Sequence, residues 1–131
     1  MIEFRFSEED STVIQLLKTP MSFPRNGHAA CWIGKNQILV SGSKGTQSGK
    51  ETELYDIESD SWKTLGPMHV SRHFHAMTSI TGGKYAFVIG GIDNTTREYT
   101  GVLERLNLAE SKWEKIQLNI EFPPRQGCGI I

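Results

Sequence analysis

Cysteine is scarce in this chain, with only Cys31 and Cys128 among 131 residues. Two thiols cannot supply the disulfide framework of a small secreted domain, so a reducing compartment and a cytoplasmic location are expected. Long apolar runs are missing too: no stretch approaches the roughly 20 residues of a membrane-spanning helix. The first ten residues, MIEFRFSEED, carry neither the basic start nor the apolar centre of a secretory leader. Charge of one sign is also lacking. Fourteen Lys and Arg against 15 Asp and Glu leave a net charge of −1, which gives no footing for a nucleic-acid surface. Low-complexity tracts are absent, and the length suits one domain with a sizeable core.

What is present is a pattern written twice, over residues 25–68 and 72–116. The first copy runs Arg25-Asn26-Gly27-His28, then Ile38-Leu39-Val40-Ser41-Gly42, then Leu54-Tyr55-Asp56, and ends on Ser61-Trp62-Lys63. The second runs Arg72-His73-Phe74-His75, then Phe87-Val88-Ile89-Gly90-Gly91, then Glu104-Arg105-Leu106-Asn107, and ends on Lys112-Trp113-Glu114. On this reading Ser41-Gly42 stands where the second copy has Gly90-Gly91. A period of about 50 residues marks a repeat architecture.

Each copy contains four short strand signals. Gln37–Val40 and Tyr85–Ile89 are apolar runs without alternation, as expected of a strand buried on both faces. Each ends in glycine, where the chain must turn tightly or pack without a side chain. A polar loop follows, then an alternating run (52–57 or 102–108), a turn rich in Asp, Ser and Asn, and a tryptophan strand. Four antiparallel strands joined by turns make one propeller blade.

In this order of an Arg-led first strand, a glycine pair, an aromatic-Asp and a tryptophan, the chain resembles the kelch-repeat family. Gly90-Gly91, Trp113, Tyr55-Asp56 and Trp62 match its pattern; Ser41-Gly42 and Leu106-Asn107 depart from it. The resemblance implies an all-β fold of kelch-type β-propeller blades. Residues 1–131 then read as a single kelch-repeat region. Residues 1–20 are the outer strands of a preceding blade, 21–68 a first full repeat, 69–116 a second, and 117–131 the start of a third. Propellers close with typically 4–8 blades, so this count describes an incomplete ring. Such an arc is expected to belong to a longer propeller, to be completed by other chains, or to self-associate.

Four chemistries compete with that reading. His28, His73 and His75, with Cys31 nearby, could be arranged into a zinc site, but His28 and His75 hold equivalent repeat positions, which a structural role explains without a metal. Cys31 lies among Ala29, Ala30, Trp32 and Ile33, the setting of an inert thiol, and neither it nor Cys128 has a clear Cys-His-Asx constellation. The loop 41–50 ends in Gly49-Lys50-Glu51, not in the Gly-Lys-Ser/Thr of a phosphate cradle. Asp93-Asn94-Thr95 lacks the ligand spacing of a calcium loop. No cofactor and no metal is expected.

A binding surface remains. The family resemblance implies that loops entering the first strand and leaving the glycine strand gather at the blade tips, where partner peptides are held. By position this marks Arg25, Asn26, Arg72, His73 and Arg125, with loops 43–50 and 92–100. Recurrent arginines can present planar forks to an acidic peptide segment of a protein partner, or pair with a carboxylate or carbonyls of their own blade. The expectation is a non-catalytic interaction module. The alternatives are part of a kelch-like propeller enzyme, of oxidase or sugar-acid isomerase type, and an architectural subunit of a larger assembly.

Overall fold

The computed structural model describes residues 2–6, 13–45, 48–80 and 83–117. All pairing among them is antiparallel, and none of them is helical. Strands β1 (Ile2–Phe6) and β2 (Val13–Leu17) form a two-stranded sheet. Strands β3 (Ala29–Gly34), β4 (Gln37–Ser41), β5 (Thr52–Asp56) and β6 (Ser61–Leu65) then build a four-stranded sheet in chain order. After the short β7 (Arg72–His73) come β8 (Ala76–Ser79), β9 (Tyr85–Ile89), β10 (Ile92–Asp93), β11 (Leu103–Asn107) and β12 (Lys112–Ile116). Of these, β8-β9-β11-β12 make the second four-stranded sheet, while β10 pairs with β7. The two sheets are kelch-type blades of an open arc, as the motif order implied. Arg125, Cys128 and the sequence of the third copy lie outside the described residues.

Local chemistry fixes the hairpins. Lys35 and Asn36 both take positive φ, 52° and 58°, the twist-matched two-residue turn that joins antiparallel strands. At the β5–β6 turn the Asp56 carboxylate accepts the Ser59 amide at 3.0 Å. At the equivalent β11–β12 turn the Asn107 carbonyl oxygen accepts the Glu110 amide at 3.1 Å. Asp60 and Ser111 then close both turns with positive φ. Asn107 thus serves the turn as Asp56 does, because either side chain can hydrogen-bond its own backbone.

Strand register corrects the alignment of the glycines. Ile38 pairs with Tyr55 and Ala86 with Leu106, so Gly42 is the counterpart of Gly90, and Ser43 takes the place of Gly91. One residue of slip exchanges the two faces of a strand. The corrected frame puts Ala86 and Val88, both 0 % exposed, on the face toward the first blade. Phe87 and Ile89 occupy the other face and are half-buried, so β9 alternates and is not covered on both sides.

The core lies between the blades. Ile33, Leu39 and Leu65 of the first blade pack with Met68 of the connecting segment and with Ala86, Val88, Leu106 and Trp113 of the second. Each sheet offers one apolar face, and neither has a core of its own. The Trp113 indole crosses the seam and donates from Nε1 to Thr52 Oγ1 at 3.0 Å, so its polar edge is satisfied while the ring stays dry.

Candidate interaction tip

The strand starts of β3 and β8 and the ends of β4 and β9 lie at the same end of both blades, and the arginines organise that end. Arg25 donates from Nη1 to the carbonyls of Gly42 at 2.9 Å and Glu51 at 2.8 Å, and from Nη2 to Glu53 Oε2 at 2.9 Å. Arg72 repeats the set: Nη1 to Gly90 at 3.2 Å and Val102 at 2.7 Å, Nη2 to Glu104 Oε2 at 2.8 Å. In each blade the fork ties the end of the glycine strand to the start of the next strand. A loop that leaves and returns is thereby pinned at its base. Both ion pairs have no side-chain exposure.

The glutamates are held from the other side. Glu53 Oε1 accepts the Ser22 amide at 2.8 Å; Glu104 Oε1 accepts the His69 amide at 2.6 Å and Oε2 the Val70 amide at 3.2 Å. A buried charge of either sign needs such partners. Glu53 and Glu104 were not singled out by sequence reasoning. The available signal was an acidic residue at the same place in two otherwise half-apolar strands.

The remaining sequence-predicted residues divide. Asn26 is exposed at the tip, with its amide donating to Ser43 Oγ at 3.0 Å and its carbonyl accepting the Lys44 amide at 2.7 Å. His73 is only 6 % exposed, and its Nδ1 lies 2.6 Å from Asn94 Oδ1. Asn94 is a hub that sequence reasoning set aside. Its Nδ2 donates to Ser43 O at 2.8 Å and Ser71 Oγ at 2.9 Å, while Oδ1 also accepts the Gly45 amide at 3.3 Å. One side chain therefore joins the two glycine-strand loops. The structure brings Arg25 and Asn26 together with residues 43–45 and 48–50, and Arg72 and His73 with loop 92–100.

The histidines play distinct parts. His75 faces Ser41 across the seam, Nε2 to Oγ at 3.0 Å. Burial, followed by the Arg72 charge, depresses its pKa to about 3, so it is neutral in the folded protein. His28, its repeat counterpart, is exposed, and burial of part of its ring and the Arg25 charge lower it as well. Among the described residues, no three or more His, Cys, Asp or Glu side chains gather as a metal site. Burial pushes the Cys31 thiol up to about 11, which keeps it protonated and poorly nucleophilic at neutral pH.

Outside these networks an open groove of about 600 Å³ runs along the tip. Phe23, Pro24, Asn26, Lys44 and Ser48 line it, with Arg25 at its base. Lys44 is exposed there. The groove mixes apolar ring surface with an ammonium group, hydroxyls and an amide.

No protein-family model matches the chain. Several curated proteins are similar to it. Beta-scruin of Limulus polyphemus is 31 % identical over 122 residues, 85 % of this chain and 12 % of that protein. An F-box/kelch-repeat protein of Arabidopsis thaliana is 26 % identical over 107 residues, 79 % of this chain and 26 % of that protein. A kelch repeat-containing protein of Dictyostelium discoideum is 28 % identical over 82 residues, 62 % of this chain and 12 % of that protein. The chain thus spans between 12 % and 26 % of the length of these relatives. The twice-written motif, the two blades with their matching arginine clamps and these similarities together identify the chain as a stretch of kelch repeats.

Proposed function

We propose that this stretch of kelch repeats is a protein-interaction module whose contact surface is the blade tip around Asn26, Lys44 and loops 43–50 and 92–100. One observation carries the reading. The tip groove stays open and chemically mixed, while the polar groups that recur beneath it in both blades are spent on holding its loops. Arg25 and Arg72 act from below as positioning residues, each pinning one glycine-strand loop, and His73 does so through Asn94. Asn26 meets the partner directly. Arg125 follows the same sequence pattern at the start of the third copy, outside the described residues. The partner is a protein segment with acidic character, drawn by Lys44 and by the exposed Arg97 of loop 92–100. Catalysis is not part of this proposal: the Cys31 thiol is protonated and the His75 imidazole neutral, so Cys31 is no activated nucleophile and His75 no base poised near neutral pH.

The test is selection of phage-displayed random peptides on the immobilised full chain, followed by hydrogen-exchange mapping with a selected peptide bound. Protection is expected at 43–45, 48–50 and 92–100. Enrichment no better than on the bare support, or protection confined to the opposite end near Asn36, Glu58 and Lys84, would sink the proposal.

A further inference from the structure

Phe74 occupies a backbone position that this chain otherwise gives to glycine. Its φ is +56°, and that of its repeat counterpart Gly27 is +70°. The third copy again has glycine there, Gly127, two residues after Arg125. The left-handed region costs an L-residue steric strain, and a bulky aromatic in it is an outlier. Such outliers persist where the surrounding structure over-determines them, and they cluster at functional sites.

The surroundings do hold this residue. The Phe74 amide donates to the Gly27 carbonyl at 2.7 Å. Its ring meets His73 edge-on with centroids 4.9 Å apart, and it lies so close over Gly27 that a Cβ there would stand 3.0 Å from Phe74 Cε1. His73 is in turn fixed by Asn94. Yet the residue is 40 % exposed. It is therefore a rigid apolar surface at the tip, held at a cost in strain and left partly wet. Internal packing accounts for the covered edge but not for the exposed one. Asn26 adjoins it through Gly27, and Lys44 adjoins Asn26 through the backbone bond between them.

We propose that Phe74 is the anchor for an extended peptide segment of a protein partner, which seats an apolar side chain on the Phe74 ring and a carboxylate beside Lys44. Preformed aromatic anchors lose little conformational freedom on binding and dominate interface energetics. The inference rests on the tip reading above and narrows it to one residue and one peptide pattern.

The test uses the full chain and the peptides selected from the random library. They should share an apolar residue beside Asp or Glu. Phe74→Gly, which relieves the backbone strain, should weaken the best of them by about tenfold or more while the thermal midpoint holds or rises. Phe74→Asn, a residue that also tolerates positive φ, should behave alike. If both variants bind as the parent does while Lys44→Glu still weakens binding, the anchor is refuted and the tip reading survives. Enriched peptides insensitive to all three changes would refute both. A lowered midpoint in both Phe74 variants with unchanged affinity would make the ring a packing element, which also overturns the proposal.

Discussion

Arg72 and Glu104 meet at 2.8 Å with neither side chain exposed to solvent, and Arg25 and Glu53 repeat that meeting in the neighbouring blade at 2.9 Å. The pair is a construction element used once per blade. It joins the segment leading into the first strand to the third strand across the end of the second, where the sheet ladder stops. Removing one partner leaves the other charged and dry, so Glu104→Ala is expected to destabilise by about 3–5 kcal/mol. The urea midpoint measures it. A shift equivalent to under about 1 kcal/mol, the range of exposed pairs, would mean that water reaches the pair.

The glycines make a sharper contrast. Gly42 and Gly34 both have positive φ, 74° and 86°, so alanine strains both. A Cβ on Gly42 would also collide with the His75 ring and stand 2.5 Å from the Arg72 carbonyl oxygen, whereas one on Gly34 would meet nothing within 4 Å. Gly34→Ala is therefore expected to cost about 1–2 kcal/mol from strain alone, and Gly42→Ala clearly more because two blades must move apart. Equal losses in denaturant unfolding would show that the seam yields freely.

Acid should loosen the same seam. The ordinary histidine pKa is 6.5 and that of His75 falls to about 3 in the folded chain. Between those values the unfolded chain binds a proton that the folded chain refuses. Its neutral form thus contributes full stability above about 6.5, and this is lost as pH falls toward 3, at up to about 1.4 kcal/mol per pH unit. His75→Gln, uncharged throughout, should flatten the slope of unfolding free energy between about pH 6 and 4. Asp56 and Asp60, both lowered by hydrogen bonds from Ser59 and Tyr55 respectively, add their losses only in the carboxylate range below. Parallel slopes for parent and variant would refute a neutral His75.

Much of this was legible in the sequence because strand order and turn chemistry are local. Tyr55-Asp56, Trp62 and Trp113 mark strands and turns that formed where the motif put them. The blade register was less legible: a glycine doublet invites alignment as a unit, and only strand pairing reveals that Gly42 answers Gly90. The arginines were legible as recurrent and illegible in direction. Whether a guanidinium faces a partner or its own blade depends on a glutamate about 30 residues away, a separation read from the hydrogen bonds of Arg25 to Glu53 and Arg72 to Glu104. Asn94 and Phe74 gave no repeat signal, since each departs from its counterpart.

Trp113 and Trp62 hold the same place in their blades and meet different fates. Trp113 is 6 % exposed, covered by the first blade. Trp62 is half-buried among the described residues: it stacks on Tyr55 with centroids 4.8 Å apart, donates to the Thr19 carbonyl at 2.8 Å, and lines an apolar groove of about 500 Å³ with Met21, Ile38 and Val40. In the repeat frame this groove corresponds to the surface of Ala86, Val88 and Leu106, which the first blade keeps dry. Covering apolar area is worth about 25 cal/mol per Å², so the isolated 131-residue chain is expected to self-associate through the Trp62 groove. Sedimentation velocity should show an apparent mass that rises with concentration. Trp62→Glu should return it to the monomer without loss of the blades, whereas Trp113→Ala should cost about 3–5 kcal/mol of stability by opening a cavity in the seam. A chain that stays monomeric at every concentration and unfolds in one sharp transition would show that this face is stable in water, and that the seam between the two blades suffices to hold them.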